Sequence, residues 1–494
     1  MNMADLLRRT GASIYCVGIK GSGVCALAEL LHRRGCKVSG SDRKEVFYTD
    51  RLLRALGIPY FESFEPRHLP PDTELIVYSA AYSPESNPEL VEAQNRGIPA
   101  LKYPDALGAY SALFDSSGIA GVHGKTTTTA MAGTLMRGAG LPVQILAGSA
   151  VGAFGGGCTL TLGSTYFVAE TCEYRRHFLA FQPRRIVLTS VEPDHQDYYP
   201  TYQAIRDAFL EYAGKLPPGG ELIYCADDPG ARDVATRLKQ EPQGKDVQFI
   251  PYGFTASGPF QIQSYQVAHE SARIGLAGFP EPLTLRIPGR HSALNAVGAL
   301  ALTDALVRCE PPHGWRPEPW EGARRGLAAF TGSKRRAEIL GEKDGVLFMD
   351  DYGHHPTAVQ VTLAGLKEFY PQRRLVVSFM PHTYSRTASL LEAFSQSFVQ
   401  ADITLLHRIY PSAREATETH LWAGVRGEAL FDRVRARQEA VYYVAEPLDA
   451  LDLLRGILRP GDLFITMGAG DNWKLAEALL NHAAGGLRPA GGKE

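Results

Sequence analysis

The order of apolar and polar segments along the chain predicts alternating buried strands and helices. The apolar run Ser13–Val17 is typical of a buried strand, and a glycine-rich turn and a helical pattern over residues 24–34 follow it. Leu75–Tyr78 is another strand candidate in the same stretch. This alternation indicates an α/β unit built on a parallel sheet.

The same strand, turn and helix order begins again twice. A second unit starts near residues 116–118, and a third starts near Phe330. Further apolar runs that predict strands lie at residues 166–169, 186–189, 346–349, 375–377 and 463–466. A length of 494 residues also suggests roughly three domains.

Composition narrows the class of protein. Hydrophobic residues make up 45% and charged residues 21%, which excludes disordered and fibrous chains. The net charge of −2 argues against a nucleic-acid partner, and the absence of a long uncharged apolar stretch argues against a membrane span. The start lacks the pattern of a signal peptide. The cysteine count of seven, without a Cys-x-x-Cys pair, favours reduced thiols in the cytoplasm and no zinc site.

The strongest chemical signal is the run from Gly121 to Thr127. Its glycines, Gly121 and Gly124, let backbone N–H groups converge on phosphate oxygens at a helix N-terminus. Lys125 then reaches the outer phosphates, and the Thr126 hydroxyl is a ligand for Mg²⁺. Ile119 stands where the long form of this motif has glycine, so only the short core matches.

A second glycine-rich turn spans residues 18–23, between a predicted strand and a predicted helix. Asp42 follows at a distance typical of an acidic ribose contact in dinucleotide-binding proteins. Lys20, however, occupies the second glycine position of that fingerprint. We therefore expect a nucleotide pyrophosphate other than that of NAD, with Lys20 as a point charge. A turn without a ligand is the alternative.

Acidic residues and histidines follow several predicted strands. Glu170 follows residues 166–169, and an acidic segment with His195 spans residues 192–197. Ligands gather at the carboxyl ends of strands in open α/β sheets, and carboxylates suit Mg²⁺. Residues 350–356 follow a third predicted strand and include two adjacent histidines, while residues 382–386 and Arg335–Arg336 supply positive charge. The alternative for the acidic groups is a solvated loop, and for each arginine a surface cation. Residues 350–356 could instead be a helix start, with Asp351 or His355 near the cap.

Taken in order, these motifs resemble those of the Mur ligase family. The carriers of the resemblance are residues 18–23, 39–42, 121–127, 194–197, 289–295, 330–336, 351–357, 381–387 and 468–470. The most specific is Asp-Tyr-Gly-His-His-Pro at residues 351–356. It points to the members that join L-alanine to UDP-N-acetylmuramate and to their murein-peptide-recycling relatives.

The resemblance implies an α/β fold of three domains. Residues 1–115 would form a Rossmann-like domain that binds the UDP-sugar. Residues 116–329 would form a central P-loop domain that binds ATP, and residues 330–494 a Rossmann-like domain that binds the amino acid. Three substrates on three domains require closure, so we expect hinges near residues 115 and 330.

The resemblance also implies roles for individual residues. The residues expected to be catalytic are Lys125, Glu170, His195, His354 and Arg386. The residues expected to bind ATP are Gly121, His123, Gly124, Lys125, Thr126, Thr127, His291, Asn295, Arg336 and Asp351. The UDP-sugar is assigned to Gly18, Lys20, Gly21, Ser22, Gly23, Ser41 and Asp42, and Mg²⁺ to Thr126, Glu170 and His195. His355 matches a further substrate-side position.

Some positions depart from the family pattern. The family favours Gly at 20, Thr at 122, Asn at 190 and 292, and Arg at 383, where this chain has Lys20, Val122, Ser190, Ser292 and Thr383. The family often has Glu-Ala-Asp-Glu-Ser-Asp at residues 170–175, where this chain has Glu-Thr-Cys-Glu-Tyr-Arg. The loss of an arginine at 383 predicts weaker binding of the amino acid.

The resemblance implies an ATP-dependent ligase of peptidoglycan precursor synthesis. It would use UDP-N-acetylmuramate, L-alanine, ATP and Mg²⁺ through an acyl phosphate, as a cytoplasmic monomer or weak homodimer. A murein-peptide ligase that uses a tripeptide or another amino acid is the alternative. An NAD-dependent oxidoreductase would leave Lys125 and Thr126 unexplained, and a non-catalytic nucleotide-binding regulator would not need residues 351–356.

Overall fold

A computed structural model of the chain describes residues 3–268, 270–311, 317–412, 415 and 424–481. The chain forms two compact units. Unit 1 comprises Met1–Glu192, Gln203–Ile262 and Asn295–Leu327. Unit 2 comprises Pro193–Tyr202, Gln263–Leu294 and Ala328–Glu494.

The first sheet of unit 1 has five parallel strands in the order β3-β2-β1-β4-β5. The strands are β1 Ser13–Val17, β2 Lys37–Ser41, β3 Tyr60–Phe61, β4 Leu75–Tyr78 and β5 Ala100–Lys102. The helices are α1 Met3–Arg8, α2 Ser22–Arg33, α3 Tyr48–Leu56, α4 Pro88–Asn95 and α5 Tyr103–Ser111, with a short 3-10 helix at Pro66–His68. The predicted strands Ser13–Val17 and Leu75–Tyr78 are confirmed.

The second sheet of unit 1 has seven strands in the order β12-β11-β10-β6-β9-β7-β8. The strands are β6 Asp115–Ala120, β7 Val143–Leu146, β8 Thr159–Thr161, β9 Tyr166–Glu170, β10 Arg185–Leu188, β11 Glu221–Cys225 and β12 Gln248–Tyr252. All neighbours are parallel except β7 and β8. The helices are α6 Lys125–Gly138, α7 Tyr202–Ala213 and α8 Pro229–Gln240, with 3-10 helices at Gly152–Phe154, Tyr174–Ala180 and Pro242–Gly244.

Unit 2 contains two sheets. The three-stranded antiparallel sheet comprises β13 Ile262–Ala268, β14 Ser271–Leu276 and β15 Phe279–Leu285. The six-stranded sheet, in the order β16-β17-β21-β18-β19-β20, comprises β16 Glu338–Lys343, β17 Val346–Asp351, β18 Arg374–Met380, β19 Ile403–Leu406, β20 Val441–Tyr443 and β21 Asp462–Gly468. Only β16 pairs antiparallel in this larger sheet.

The remaining helices complete the units. They are α9 Arg290–Cys309, α10 Pro317–Ala328, α11 Pro356–Phe369, α12 Tyr384–Ser389, α13 Leu391–Gln396, α14 Gly427–Arg435, α15 Leu451–Ile457 and α16 Trp473–Asn481, with a 3-10 helix at Pro447–Ala450. Among the described residues, α9 alone has the length and composition to cross a membrane, and 78% of its most apolar window is buried inside the protein. Such burial is typical of a core helix.

The central strands of the six-stranded sheet are buried along their whole length. Every residue of β17 and of β21 is buried, and helices packed beside them contribute Leu454 and Leu475 to the same core. Strands covered on both faces read as continuous apolar runs, which is why the sequence predicted them. The run at residues 346–349 nevertheless continues through Asp350 and Asp351, which were expected to follow the strand.

A buried polar network crosses the same sheet. The His407 ring lies between the Ser378 hydroxyl, 2.7 Å from Nε2, and the Val444 carbonyl, 2.7 Å from Nδ1. Asn472 donates to the Ser378 carbonyl at 2.9 Å. Because the Val444 carbonyl can only accept, the neutral ring donates from Nδ1. The Ser378 hydroxyl then lies between two acceptors, His407 Nε2 at 2.7 Å and Asn472 Oδ1 at 3.0 Å. Burial lowers the pKa of His407 from 6.5 to about 4.

We expect acidification to destabilise the protein through His407. Its folded pKa lies below its unfolded pKa, so the unfolded chain takes up the proton first. The contribution of the neutral His407 ring to the free energy of unfolding is fully present above about pH 6.5 and is lost as the pH falls toward about 4. Thermal unfolding followed between pH 7 and pH 5 tests this, with a shallower fall expected for His407→Asn. Equal slopes for the two proteins would contradict the assignment.

Candidate active site

The phosphate loop lies in unit 1 between β6 and α6. Gly124 is the N-cap of α6 and has φ +80°, and Gly121 has φ +141°. Residues other than glycine rarely adopt these backbone conformations. Ser190, which follows β10, fixes the loop backbone with two hydrogen bonds. The Val122 N–H donates to Ser190 O at 3.0 Å, and the His123 N–H donates to Ser190 Oγ at 2.9 Å. The predicted order of strand, glycine loop and helix is therefore confirmed.

Lys125, the first residue of α6, turns its ammonium back over this loop. Nζ lies 2.8 Å from the Glu173 carboxylate and donates to the carbonyls of Gly121 and Val122. Burial would lower the pKa of Lys125, but the charge of Glu173, smaller contributions from Cys172 and Glu170, and the hydrogen bond to Glu173 together outweigh it, and the pKa is raised. The side chain is therefore a cation held at the mouth of the loop.

Two carboxylates and a hydroxyl belong to the same region of unit 1. Glu170 is the last residue of β9 and accepts from the Gly148 N–H at 2.7 Å. Thr126 is buried in the first turn of α6, next to Lys125. Oxygen ligands of this kind fit Mg²⁺. The contact of Glu173 with Lys125 was not predicted from the sequence. Glu173 lies three residues beyond the end of β9, and this position could have indicated a residue of the site.

Several predicted nucleotide contacts line the beginning of α6. Thr128 Oγ1 donates to Asn295 Oδ1 at 3.2 Å, which places the Asn295 amide beside this helix. Thr127 is half-buried. His123 Nε2 lies 2.5 Å from the Glu192 carboxylate. His291 belongs to unit 2, whereas Asn295 belongs to unit 1.

The glycine turn of the first sheet is built around Asp42. The Asp42 carboxylate accepts from the Lys20 N–H at 2.7 Å and from the Tyr82 hydroxyl at 2.9 Å. The turn is also tied to β2, since the N–H groups of Gly18 and Ile19 donate to Ser41 O at 2.8 and 3.0 Å. The members of the predicted UDP-sugar set that lie together at this turn are Gly18, Gly21, Ser22, Gly23 and Asp42.

Two side chains of the predicted UDP-sugar set, those of Ser41 and Lys20, bind other side chains of the protein. The Ser41 hydroxyl donates to buried Glu89. The Lys20 side chain has no exposed surface, and its ammonium pairs with Asp50 and Glu62. The expectation that Lys20 meets a pyrophosphate as a point charge therefore disagrees with the structure, because the charge is already balanced within the protein.

Asp351 ends β17 in unit 2 and shapes the turn that follows. Its carboxylate accepts from the N–H of Gly353 at 2.6 Å and of Ala337 at 2.7 Å. Burial raises the pKa of Asp351, and Arg336 opposes the rise. Arg335 donates to Asp350 at 2.9 Å and to the Gly468 carbonyl at 2.8 Å. The expected cap of α11 is confirmed for His355, which is its N-cap, with Pro356 as its first residue.

Arg386 forms a buried ion pair with Asp194 in unit 2. Nε and Nη2 donate to the same oxygen, Asp194 Oδ1, at 3.0 and 2.8 Å. Burial would raise the pKa of Asp194, but Arg386, His195 and His354 hold it well below its usual range. Arg386, from the predicted basic segment 382–386, is thus paired with a carboxylate of the protein. Asp194, the residue before the predicted metal ligand His195, binds the Nε and Nη2 edge of the guanidinium.

Two imidazoles lie beside this pair. Burial, reinforced by Arg386, lowers the pKa of His382 to about 4 and that of His354 well below its usual range. Both rings are therefore neutral at pH 7. Thr383, which has φ +66°, caps α12 by accepting from the Arg386 N–H at 3.3 Å.

The predicted metal ligands divide between the units. Thr126 and Glu170 belong to unit 1, whereas His195 belongs to unit 2. His195 has φ +54°, and its N–H donates to Asp194 Oδ1 at 2.7 Å. Each unit therefore carries its own group of the predicted residues, one at the phosphate loop and one around Arg386.

Comparisons with known proteins identify the family. Three family models match: "Mur ligase family, catalytic domain" over residues 13–115, "Mur ligase middle domain" over 119–303 and "Mur ligase, glutamate ligase domain" over 335–470. The UDP-N-acetylmuramate--L-alanine ligase of Treponema pallidum (strain Nichols) is 49% identical over 474 residues, covering 96% of this chain and 97% of that protein. The protein of the same name from Borreliella burgdorferi is 37% identical, covering 94% of this chain and 98% of its own.

Solved structures agree on the fold. The UDP-N-acetylmuramate-alanine ligase of Thermotoga maritima superposes with a TM-score of 0.72 at 22% identity, covering 95% of this chain and 98% of that one. A murein peptide ligase of Psychrobacter arcticus has a TM-score of 0.64 at 23% identity, covering 96% of this chain and 100% of its own. The predicted fold class, the three-domain α/β architecture of these ligases, is confirmed. With relatives similar along almost its whole length, the chain belongs to the Mur ligase family.

Proposed function

We propose that the chain joins L-alanine to the carboxylate of UDP-N-acetylmuramate, with cleavage of ATP, in cytoplasmic peptidoglycan precursor synthesis. The observation that carries a phosphoryl-transfer reaction is Lys125, a cation held by Glu173 over a glycine loop at a helix N-terminus. The choice of substrates rests on the name that the similar relatives share. Mur ligases are ATP-dependent, in keeping with this loop.

The activation half-reaction needs positive charge at the phosphates. A carboxylate resists attack by an amine because its oxygen is a poor leaving group. Transfer of the γ-phosphoryl of ATP makes an acyl phosphate, whose phosphate leaves readily. Lys125 and the N–H groups of the loop would stabilise the charge on the phosphoryl oxygens during transfer.

Mg²⁺ fits the oxygen donors beside the loop. Thr126 and Glu170 would hold one ion, and His195 would contribute to a second. When bound, the metal supplies further positive charge to phosphate oxygens. Gly121, His123, Gly124, Thr127, His291, Asn295, Arg336 and Asp351 would complete the ATP site.

The second half-reaction needs an oriented amine. Arg386 would bind the carboxylate of L-alanine with the N–H groups that Asp194 leaves available, so that the amine stays free to attack the acyl phosphate. The rings of His354 and His382 beside Arg386 are neutral, since burial lowers the pKa of both, so they add no further positive charge beside the amine. The proton that the amine loses on attack passes to solvent water. Loss of phosphate from the tetrahedral intermediate then gives UDP-N-acetylmuramoyl-L-alanine.

The domain assignment remains part of the proposal. Residues 1–115 would bind the UDP-sugar, residues 116–329 ATP and residues 330–494 the amino acid, with hinges near 115 and 330. We expect a monomer or weak homodimer, without nucleic-acid or membrane partners.

Mass spectrometry of the products tests the reaction. The protein is incubated with UDP-N-acetylmuramate, ATP, Mg²⁺ and a mixture of amino acids, with the murein tripeptide and NAD supplied in parallel reactions. We expect UDP-N-acetylmuramoyl-L-alanine, ADP and phosphate in equal amounts. A tripeptide adduct would identify a murein-peptide ligase, reduction of NAD would indicate an oxidoreductase, and nucleotide binding without turnover would indicate a regulator.

A further inference from the structure

The unusual feature of the first sheet is a lysine buried at a turn. Lys20 stands between β1 and α2, where the family favours glycine. Its side chain has an exposed fraction of 0%. The ammonium lies 3.0 Å from Asp50 Oδ1 and 2.8 Å from Glu62 Oε1, and it donates to the Glu45 carbonyl at 3.1 Å. A buried ammonium with these partners has a defined position, unlike a lysine that extends into solvent.

The partners of Lys20 come from three separate places in the chain. Glu45 lies in the loop after β2, Asp50 in the first turn of α3 and Glu62 directly after β3. The Tyr60 ring completes the enclosure, with its centroid 5.3 Å from Nζ. One side chain therefore connects the glycine turn to the loop, the helix and the strand beside it.

The backbone of Lys20 is bound to the same segment. Its N–H donates to Asp42 Oδ2 at 2.7 Å, and its carbonyl accepts from the Thr49 hydroxyl at 2.6 Å. Asp42 and Thr49 are the two ends of the segment that contains residues 43–48. Lys20 thus holds both ends of this segment with its backbone and an interior point with its ammonium.

The segment itself is exposed. Residues 43–48 all lie at the surface, and Val46 is 88% exposed. They include the cations Arg43 and Lys44 and the apolar side chains Val46 and Phe47. At its far end the Phe47 N–H donates to Asp50 at 2.6 Å and the Tyr48 hydroxyl lies 3.1 Å from Cys158 Sγ. The exposed part before these contacts opens readily unless it is fixed. Arg43 also lies over the Tyr82 ring, whose hydroxyl donates to Asp42, so the segment is continuous with the glycine turn.

We infer that Lys20 is a positioning residue for the UDP-sugar, because it holds residues 43–48 as a fixed wall beside the glycine turn. The inference rests on the proposed function, which assigns this turn to the UDP-sugar. A fixed wall reduces the ordering cost of binding, since fewer groups have to become ordered when the ligand binds. Glycine at position 20 could keep the two backbone contacts, but it has no ammonium with which to hold the Glu45 carbonyl.

Lys20→Met tests the role, because methionine has a similar length and no charge. We expect the KM for UDP-N-acetylmuramate to rise about tenfold, as for the loss of charged hydrogen bonds. The KM values for ATP and L-alanine should stay within about twofold, the scatter expected for distant sites. Amide hydrogen exchange of residues 43–48 should become faster in the free protein. Lys37→Met, at an exposed lysine of the neighbouring strand, is the matched control and should change none of these.

Two further variants separate positioning from stability. Lys20→Arg keeps the charge and should recover part of the affinity. Glu62→Gln removes one partner that is 41% exposed, so it tolerates substitution if Lys20→Met does not fold, and it should raise the same KM by a smaller factor. A lower unfolding temperature with unchanged KM values, or an equal rise in all three, would overturn the inference.

The proposed function can fail separately. If the parent protein makes no UDP-N-acetylmuramoyl-L-alanine, the proposed reaction is wrong, and the UDP-sugar role of Lys20 is wrong with it. If the parent is active and Lys20→Met has normal KM and normal exchange at residues 43–48, only the inference about Lys20 is wrong.

Discussion

Replacing Lys125 with alanine is expected to abolish ATP turnover. The ammonium lies over the glycine loop, where phosphates would bind, and it pairs with the buried Glu173 carboxylate. Removing one preorganised charge contact costs about a hundredfold or more in turnover. Phosphate release measured with saturating UDP-N-acetylmuramate and L-alanine checks this result.

The control for Lys125→Ala must separate chemistry from folding. Lys245 is exposed on the same unit, and Lys245→Ala should leave turnover unchanged. Circular dichroism should show the same secondary structure for both variants. Because Lys125→Ala removes a cation that pairs with the buried Glu173, the variant Lys125→Ala/Glu173→Gln is also made. If this double variant is well folded and turns over ATP at the parent rate, the phosphate-loop assignment is wrong.

Arg386→Lys is expected to raise the KM for L-alanine by roughly tenfold or more, because the two-pronged hydrogen bond to a carboxylate is lost while the charge remains. Asp194 accepts from Nε and one N–H of Nη2, and Nη1 makes two long contacts with His382, at 3.4 Å to Nδ1 and 3.5 Å to the carbonyl. A substrate carboxylate at the end of the guanidinium formed by Nη1 and Nη2 would replace those long contacts. Lysine cannot bind Asp194 and a second carboxylate in the same plane. Steady-state kinetics with varied L-alanine measures the effect.

Arg455→Lys is the matched control, since Arg455 is exposed and forms a surface ion pair with Asp452. It should leave the KM for L-alanine unchanged. An unchanged KM in Arg386→Lys would show that the carboxylate binds elsewhere. Selectivity is a separate question: equal use of glycine, L-serine and L-alanine would contradict the preference for L-alanine without affecting the role of Arg386.

The elements that could be predicted from the sequence are those set by local pattern. The runs Ser13–Val17 and Leu75–Tyr78 became strands with these bounds, and the phosphate loop lies between β6 and α6 as expected. Strands buried on both faces are apolar throughout, and glycine turns before helices are local features. Such signals need no knowledge of the rest of the chain.

The antiparallel sheet β13–β15 was not predicted. The strand β13 has mostly exposed or half-buried residues, and β15 contains two prolines, so neither presents a continuous apolar run. The strands are recognised only by their pairing with one another, and proline and polar residues weaken the local pattern of a strand. That these strands belong to unit 2 could also not be predicted from local sequence.

Side-chain partners at long sequence separation were also beyond prediction. Arg386 was expected to be available to a substrate, yet it pairs with Asp194, 192 residues away. Lys20 was expected to meet a phosphate, yet its partners Asp50 and Glu62 lie on other elements. A pattern can state that a cation follows a strand, but only the folded chain decides which carboxylate is within reach.

The buried contacts of Lys20 restrict the order in which such a cluster can evolve. A lysine introduced first at this glycine position would bury an uncompensated cation, which is strongly unfavourable. Asp50 has a use without it, because its carboxylate accepts from the Phe47 N–H and the Tyr60 hydroxyl at 2.6 Å each. Glu62 retains partial exposure and is tolerated alone. The acidic residues therefore come first in any viable mutational path, because each is tolerated without the lysine, and the lysine comes last.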